Sequence, residues 1–229
     1  MIKGVVFDLD HTLFDRYGTI RAIMPDFVKV FDVSDDLTLE QLTDIFIYAD
    51  KHINNYGWRT VLGYMTERGV FNTPPEFEDY RSFLVSHFKN TAVEYPFAKP
   101  MLKKLKEDGY KVGLITNGNF DIQDSKLRLL GLYEYFDEVI ISRVFGVDKP
   151  GRGIFDEMAK RLGLKASEML YVGDNPINDV EGSRAAGYVP VWVRTTGVWG
   201  FDEIKKPEYI VENVGEIPEL LDKIENKGK

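Results

Sequence analysis

From Lys99 onward, short apolar runs alternate with longer stretches in which apolar positions recur at helical spacing. The runs Val112-Gly113-Leu114-Ile115, Val139-Ile140-Ile141 and Met169-Leu170-Tyr171-Val172 predict buried strands, and Val189 to Val193 and Tyr209 to Val211 predict two more. Between them, Pro100 to Asp108, Asp121 to Leu130, Gly153 to Leu162 and Asn175 to Ala186 read as helices, each followed by a glycine that suits a helix stop. A C-terminal helix completes the series. Strand and helix in turn imply a doubly wound, mainly parallel sheet of Rossmann-like α/β type. Gly4 to Phe7, another apolar run, joins it as the first strand.

Between Asp15 and Tyr95 the period changes to that of helices throughout. Ile20, Ile23, Met24, Phe27, Val28 and Phe31 form one apolar stripe, and Leu42, Ile45, Phe46, Ala49 and Ile53 form a second. Trp58 to Arg68 predicts a third helix ending at Gly69. Thr73-Pro74-Pro75-Glu76 predicts a fourth, opened by a capping box with proline in the first position. The expected organisation is an α/β core of residues 1–14 and 96–229, interrupted by a four-helix-bundle type insert over residues 15–95.

Composition narrows the function. The 229-residue chain has no cysteine, which excludes disulfides, thiolate nucleophiles and cysteine-ligated metal centres, so any metal must sit on oxygen or nitrogen. A formal net charge of -8 disfavours nucleic acid and anionic membrane as partners and favours a small molecule. No apolar run approaches the ~20 residues that cross a bilayer, and the first strand meets Asp8 before a signal-peptide core forms. The expectation is a cytoplasmic monomer or small homo-oligomer.

The polar residues that interrupt this pattern fall at predicted carboxyl ends of strands: Asp8 and Asp10, Thr116-Asn117-Gly118-Asn119, Lys149, and Gly173-Asp174. In open α/β sheets that edge is where ligands bind. Each has a bland reading alone: turn or cap acids for Asp8 and Asp10, a turn for Thr116 to Gly118, a solvated Lys149, and a dipole-complementing acid for Asp179. Only the set is specific. Asp8, Asp10, Asp174 and Asp179 outnumber the one lysine and predict a bound cation. Oxygen ligation without a twelve-residue calcium loop favours Mg²⁺.

In combination and order, these residues resemble the motifs of the haloacid dehalogenase superfamily, most of whose members are phosphatases. Asp8-Leu9-Asp10-His11-Thr12 matches the first motif, Thr116-Asn117-Gly118 the second, Lys149 the third, and Gly173-Asp174 through Asp179 the fourth. The insert after the first motif matches the helical cap that such members place over the active site. The resemblance implies Asp8 as the nucleophile that forms an aspartyl-phosphate, and Asp10 as the acid and then the base. It implies Mg²⁺ held by Asp8, the Asp10 backbone carbonyl and Asp174, with Thr12 and Asp179 supporting from behind. Thr116, Asn117, Gly118 and Lys149 would cradle the phosphoryl group, Lys149 counting with the catalytic residues as a fixed positive charge.

The expected activity is Mg²⁺-dependent hydrolysis of a small phosphorylated metabolite of sugar or triose phosphate type. One alternative is a 2-haloacid dehalogenase, which shares the cap and a stretch like Asn117 to Asn119 but lacks the acid at Asp10. The other is a non-catalytic binding protein on the same scaffold. Arg152, in a departure from the pattern after Lys149-Pro150, reads as a surface charge. Arg16, Tyr17, Lys51, Trp58 and Arg59 read as packing or solvated residues of the insert, and the apolar loop Gly197 to Phe201 as packing on the core.

Overall fold

The computed structural model describes residues 1–53, 57–195, 197, 199–200 and 203–227. In chain order the elements are β1 (Gly4–Phe7), α1 (Arg16–Val30), α2 (Leu39–Ile53), α3 (Trp58–Glu67), α4 (Phe77–Asn90), α5 (Ala98–Glu107) and β2 (Lys111–Thr116). Then come α6 (Phe120–Leu129), β3 (Glu138–Ile141), α7 (Ser142–Phe145), α8 (Arg152–Leu162), β4 (Met169–Gly173), α9 (Gly182–Ala185), β5 (Val189–Val193), β6 (Tyr209–Val211) and α10 (Ile217–Lys227). The chain divides into two compact units, residues 1–15 with 94–229, and residues 16–93.

The first unit holds one six-stranded sheet in the order β3-β2-β1-β4-β5-β6, every neighbouring pair parallel, flanked by helices. It is the doubly wound, Rossmann-like α/β architecture that the alternating pattern predicts. β1 and β4 are buried along their whole length, as expected for central parallel strands covered on both faces, and for that reason their sequences are continuous apolar runs. Ile154, Phe155, Met158 and Leu162 of α8 pack with Val6, Ile115, Ile140 and Tyr171 in one core cluster. Each such side chain contributes about 1.5–3 kcal/mol by leaving water. The strand order reverses at β1: the chain winds outward through β2 and β3, then returns to β4 on the other side. The loops after β1 and β4 therefore diverge, opening a crevice at the carboxyl edge.

The segment after β4 departs from a regular helix. Pro176–Glu181 is a π-helical turn leading into α9, marked by the Val180 N–H donating five residues back to the Asn175 carbonyl at 3.2 Å. The Asn175 side-chain oxygen caps it by accepting from the N–H groups of Ile177 and Asn178. In the apolar loop, Trp199 meets Trp192 edge-on at 5.1 Å, while Val198 and Phe201 lie outside the described residues.

The second unit is the four helices α1 to α4. Phe27, Phe31, Phe46, Tyr80 and Phe83 form its aromatic centre, with Phe27 to Phe83 at 5.4 Å and Phe31 to Phe83 at 5.3 Å between ring centroids. Arg16 donates to both carboxylate oxygens of the buried Asp50, at 2.8 and 2.7 Å, and lies over the Phe88 ring. Trp58 stacks on Phe88, and Arg59 covers Phe77 at 3.9 Å. Helix α4 corrects the expectation of a capping box at Thr73. It starts at Phe77 with Glu76 as N-cap and no side-chain cap bond. Pro75 disfavours helical backbone at Pro74, which the box would require.

Candidate active site

The turn after β1 is built on one carbonyl. The Leu9 oxygen accepts from the N–H groups of Thr12, Leu13 and Phe14, at 3.3, 2.9 and 3.0 Å. Leu9 and Leu13 are fully buried, so the turn is anchored in the core. His11 closes it with a left-handed φ of 61°, and its carbonyl accepts from the Thr195 hydroxyl.

Lys149, almost wholly buried, joins three elements. Its ammonium donates to Asp8 Oδ1 at 2.6 Å and to Asp179 Oδ1 at 2.7 Å. Its backbone is clasped by the Asn117 side chain: Asn117 Nδ2 donates to the Lys149 carbonyl at 2.9 Å, and the Lys149 N–H donates to Asn117 Oδ1 at 2.8 Å. The loop after β3 is thereby fixed to the end of β2. Thr12 donates to Asp8 Oδ2 at 3.4 Å, the Gly118 N–H donates to the buried Ser142 hydroxyl, and Thr116 ends β2 with its side chain buried.

Asp8, Asp174 and Asp179 each bring a carboxylate oxygen to within 4.8 Å of the others. Lys149 pairs with Asp8 and Asp179, and a divalent cation would ease the repulsion that remains among the three carboxylates. Burial pushes the Asp8 carboxyl up to about 7, outweighing the Lys149 ammonium; Asp179 and Asp10 push the same way. Burial alone would lower the Lys149 ammonium, but Asp179 and Asp8 hold it well above its ordinary value, so it stays charged. The carboxylate cluster of Asp8, Asp174 and Asp179 fits a hard, oxygen-ligated divalent ion, with one oxygen of Asp179 also accepting from Lys149.

Gly173 makes this possible. A Cβ there would lie 2.4 Å from Asp179 Cγ. Asp179 Oδ2 accepts from the Asn175 N–H at 2.9 Å, holding its carboxylate against the Gly173 backbone. Gly173→Ala is expected to destabilise the protein by about 1–3 kcal/mol, measured by urea denaturation. Unchanged stability would mean that Asp179 moves aside freely.

Asp10 stands outside this carboxylate trio, of which Asp8 and Asp179 are buried and Asp174 partly so. Its side chain is about 25 % exposed, with Oδ1 accepting from Lys126 at 2.7 Å and Oδ2 from Gln123 at 2.9 Å. Neither α6 residue stands out in the motif reading, yet a signal was present. The buried stripe of α6 runs Gln123, Lys126 and Leu127, and its first two members are polar where a core helix needs apolar residues. Arg152 lies on the surface beside Asp156.

A model of haloacid dehalogenase-like hydrolases matches residues 5–193. The chain belongs to that family. Among curated proteins, this haloacid dehalogenase-like hydrolase is 30% identical over 238 residues to glyceraldehyde 3-phosphate phosphatase of Methanocaldococcus jannaschii, covering 100% of both chains. It is 32% identical over 205 residues to the glyceraldehyde 3-phosphate phosphatase of Methanopyrus kandleri, covering 85% of this chain and 84% of that one. Among solved structures it resembles the HAD phosphatase from Thermococcus onnurineus, with 26% identity and a TM-score of 0.67 over 96% of this chain and 98% of the other. No described helix of this family member is long and apolar enough to cross a membrane.

Proposed function

We propose that this hydrolase, a phosphatase like its relatives, is Mg²⁺-dependent and releases phosphate from a small phosphorylated metabolite of sugar or triose phosphate type, through an aspartyl-phosphate on Asp8. The Asp8 carboxylate attacks phosphorus while Asp10 protonates the departing alkoxide. Asp10, now a carboxylate, then takes a proton from the water that attacks the same phosphorus, releasing phosphate and restoring Asp8. Lys149 holds Asp8 in place and presents fixed positive charge to the phosphoryl oxygens, while Thr116, Asn117 and Gly118 bind those oxygens at the end of β2. Bound at Asp8, Asp174 and the Asp10 carbonyl, Mg²⁺ would offset the repulsion between the carboxylates and an anionic substrate. Thr12 and Asp179 steady Asp8 and Lys149 from behind. The helical unit of residues 16–93 is proposed as the cap.

The observation that carries this reading is Asp10. It places a second, partly exposed carboxyl two residues from the nucleophile. A departing halide needs no proton, whereas a departing alkoxide does, so this acid favours a phosphate ester over a carbon-halogen bond. The test is phosphate release from glyceraldehyde 3-phosphate and a panel of sugar phosphates, with Mg²⁺ and with EDTA. Metal-dependent release is expected. Halide release from 2-chloropropionate without metal, and no phosphate release, would overturn the reading in favour of dehalogenation.

Metal affinity carries its own pH dependence. Below about 7, Asp8 holds a proton that must leave before a cation binds. Mg²⁺ affinity is expected to rise by up to about tenfold per pH unit below that point and to level off above it. Isothermal titration between pH 5.5 and 8.5 measures this, and a flat profile would remove Asp8 from the donor set.

A further inference from the structure

The residues that grip Asp10 have no place in the scheme above. Gln123 and Lys126 lie one turn apart on α6, and only 2% and 1% of their surface is exposed. The Lys126 ammonium donates to Asp10 Oδ1 at 2.7 Å and sits 4.5 Å from the centre of the Phe14 ring. The Gln123 amide donates to Asp10 Oδ2 at 2.9 Å, and the same nitrogen reaches Thr116 Oγ1 at 2.5 Å and the Asn117 carbonyl at 3.1 Å. One side chain thus touches both Asp10 and the segment ending β2.

A buried ammonium and a buried amide are costly in a helix face that leucine or methionine would fill at least as stably. They hold the two oxygens of one carboxylate from one rigid element, which fixes the plane of the carboxyl group as well as its position. The backbone makes room for the arrangement. Gly118 has a φ of 137°, and a Cβ on it would press against Gln123 Cγ at 3.3 Å.

We propose that Gln123 and Lys126 are positioning residues that aim the Asp10 carboxyl at the leaving oxygen, Gln123 also coupling that aim to the phosphoryl-binding segment at Thr116 and Asn117. This rests on the reading of Asp10 as the acid. In the step concerned, the bond from Asp8 to phosphorus forms as the bond from phosphorus to the leaving oxygen breaks, and the Asp10 proton passes to that oxygen. An alkyl leaving group depends on that proton, whereas p-nitrophenolate is stable enough to leave without it. Misaiming Asp10 should therefore penalise alkyl esters selectively.

The experiment compares kcat/KM for ethyl phosphate and glyceraldehyde 3-phosphate with that for p-nitrophenyl phosphate in the Mg²⁺-loaded full-length protein. Wild type, Gln123→Leu, Lys126→Met and Asp10→Asn are each measured. Because both kinds of ester are assayed on one preparation, their ratio is independent of the fraction folded. Asp10→Asn should lower the alkyl-to-aryl ratio by about 10²-fold or more, and the two α6 variants by about 10-fold or more. Mg²⁺ affinity by calorimetry should stay within about twofold of wild type in the α6 variants, since the described hydrogen bonds of Gln123 and Lys126 go to the Asp10 side chain and to the end of β2 at Thr116 and Asn117. If Asp10→Asn lowers the ratio and the α6 variants slow both esters equally, the positioning role is overturned while the acid assignment stands. If Asp10→Asn itself leaves the ratio unchanged, the acid assignment fails and the positioning role fails with it.

Discussion

Asp8→Asn is expected to lower phosphate release by about 10⁴-fold or more, because the amide retains the shape of the side chain and removes the nucleophile. The same substitution should change how stability varies with pH in metal-free protein. Between the ordinary value of 3.8 and the folded value of about 7, the folded protein keeps a proton on Asp8 that the unfolded chain releases. The stabilisation from this group is complete below 3.8 and is lost as pH rises through 7. With asparagine there, that loss disappears, and the variant should exceed the wild type at pH 8 in EDTA by on the order of 1–3 kcal/mol. Urea denaturation at pH 5.5 and 8, beside a phosphate-release assay, reads both effects. A folded variant with full activity would show that another group attacks phosphorus.

Lys149→Met carries the largest expected loss of stability. The ammonium is the positive partner that Asp8 and Asp179 share, at 2.6 and 2.7 Å, and all three side chains are buried. Methionine keeps much of the volume and leaves two desolvated carboxylates facing each other, at a cost of about 3–5 kcal/mol. The loss should be greatest at pH 8 and smaller at pH 5, where Asp8 takes up a proton. Mg²⁺ should recover part of it, because a ligand that binds only the folded state stabilises that state. Phosphate release should fall by about 10²–10³-fold in the protein that remains folded. A variant within 1 kcal/mol of wild type at pH 8 in EDTA, about the worth of an exposed ion pair, would show that the lysine does not offset the buried acids. Lys149 would then be a phosphate contact only.

Much of the molecule was legible along the chain because burial on both faces of a parallel strand leaves a continuous apolar run, and a glycine after a periodic stretch marks a helix end. Gly4–Phe7, Val189–Val193 and Tyr209–Val211 are strands with the bounds that the pattern predicts. Thr116, Lys149 and Asp174 have bland readings one by one and stand out only as a set, because all of them fall at or beyond the carboxyl ends of predicted strands. Less legible were features that depend on three-dimensional crowding. At the π-helical turn of Pro176–Glu181, Asp179 packs back onto Gly173, a contact that no periodicity encodes. Helix α4 starts at Phe77 and not at the capping motif of Thr73, because the second of two consecutive prolines disfavours helical backbone at the first.

What the sequence by itself determined is the α/β winding, the helical insert and the set of acids and lysine at strand ends, since each follows from local period and from the cost of burying charge. Only the tertiary structure decided which charges meet: that Lys149 is shared between Asp8 and Asp179, and that Asp10 turns to Gln123 and Lys126. Pairings of this kind join residues more than a hundred positions apart in the chain for Asp8 with Lys149 and for Asp10 with Lys126. They are set by the order and register of strands, which one residue's neighbours in sequence do not specify.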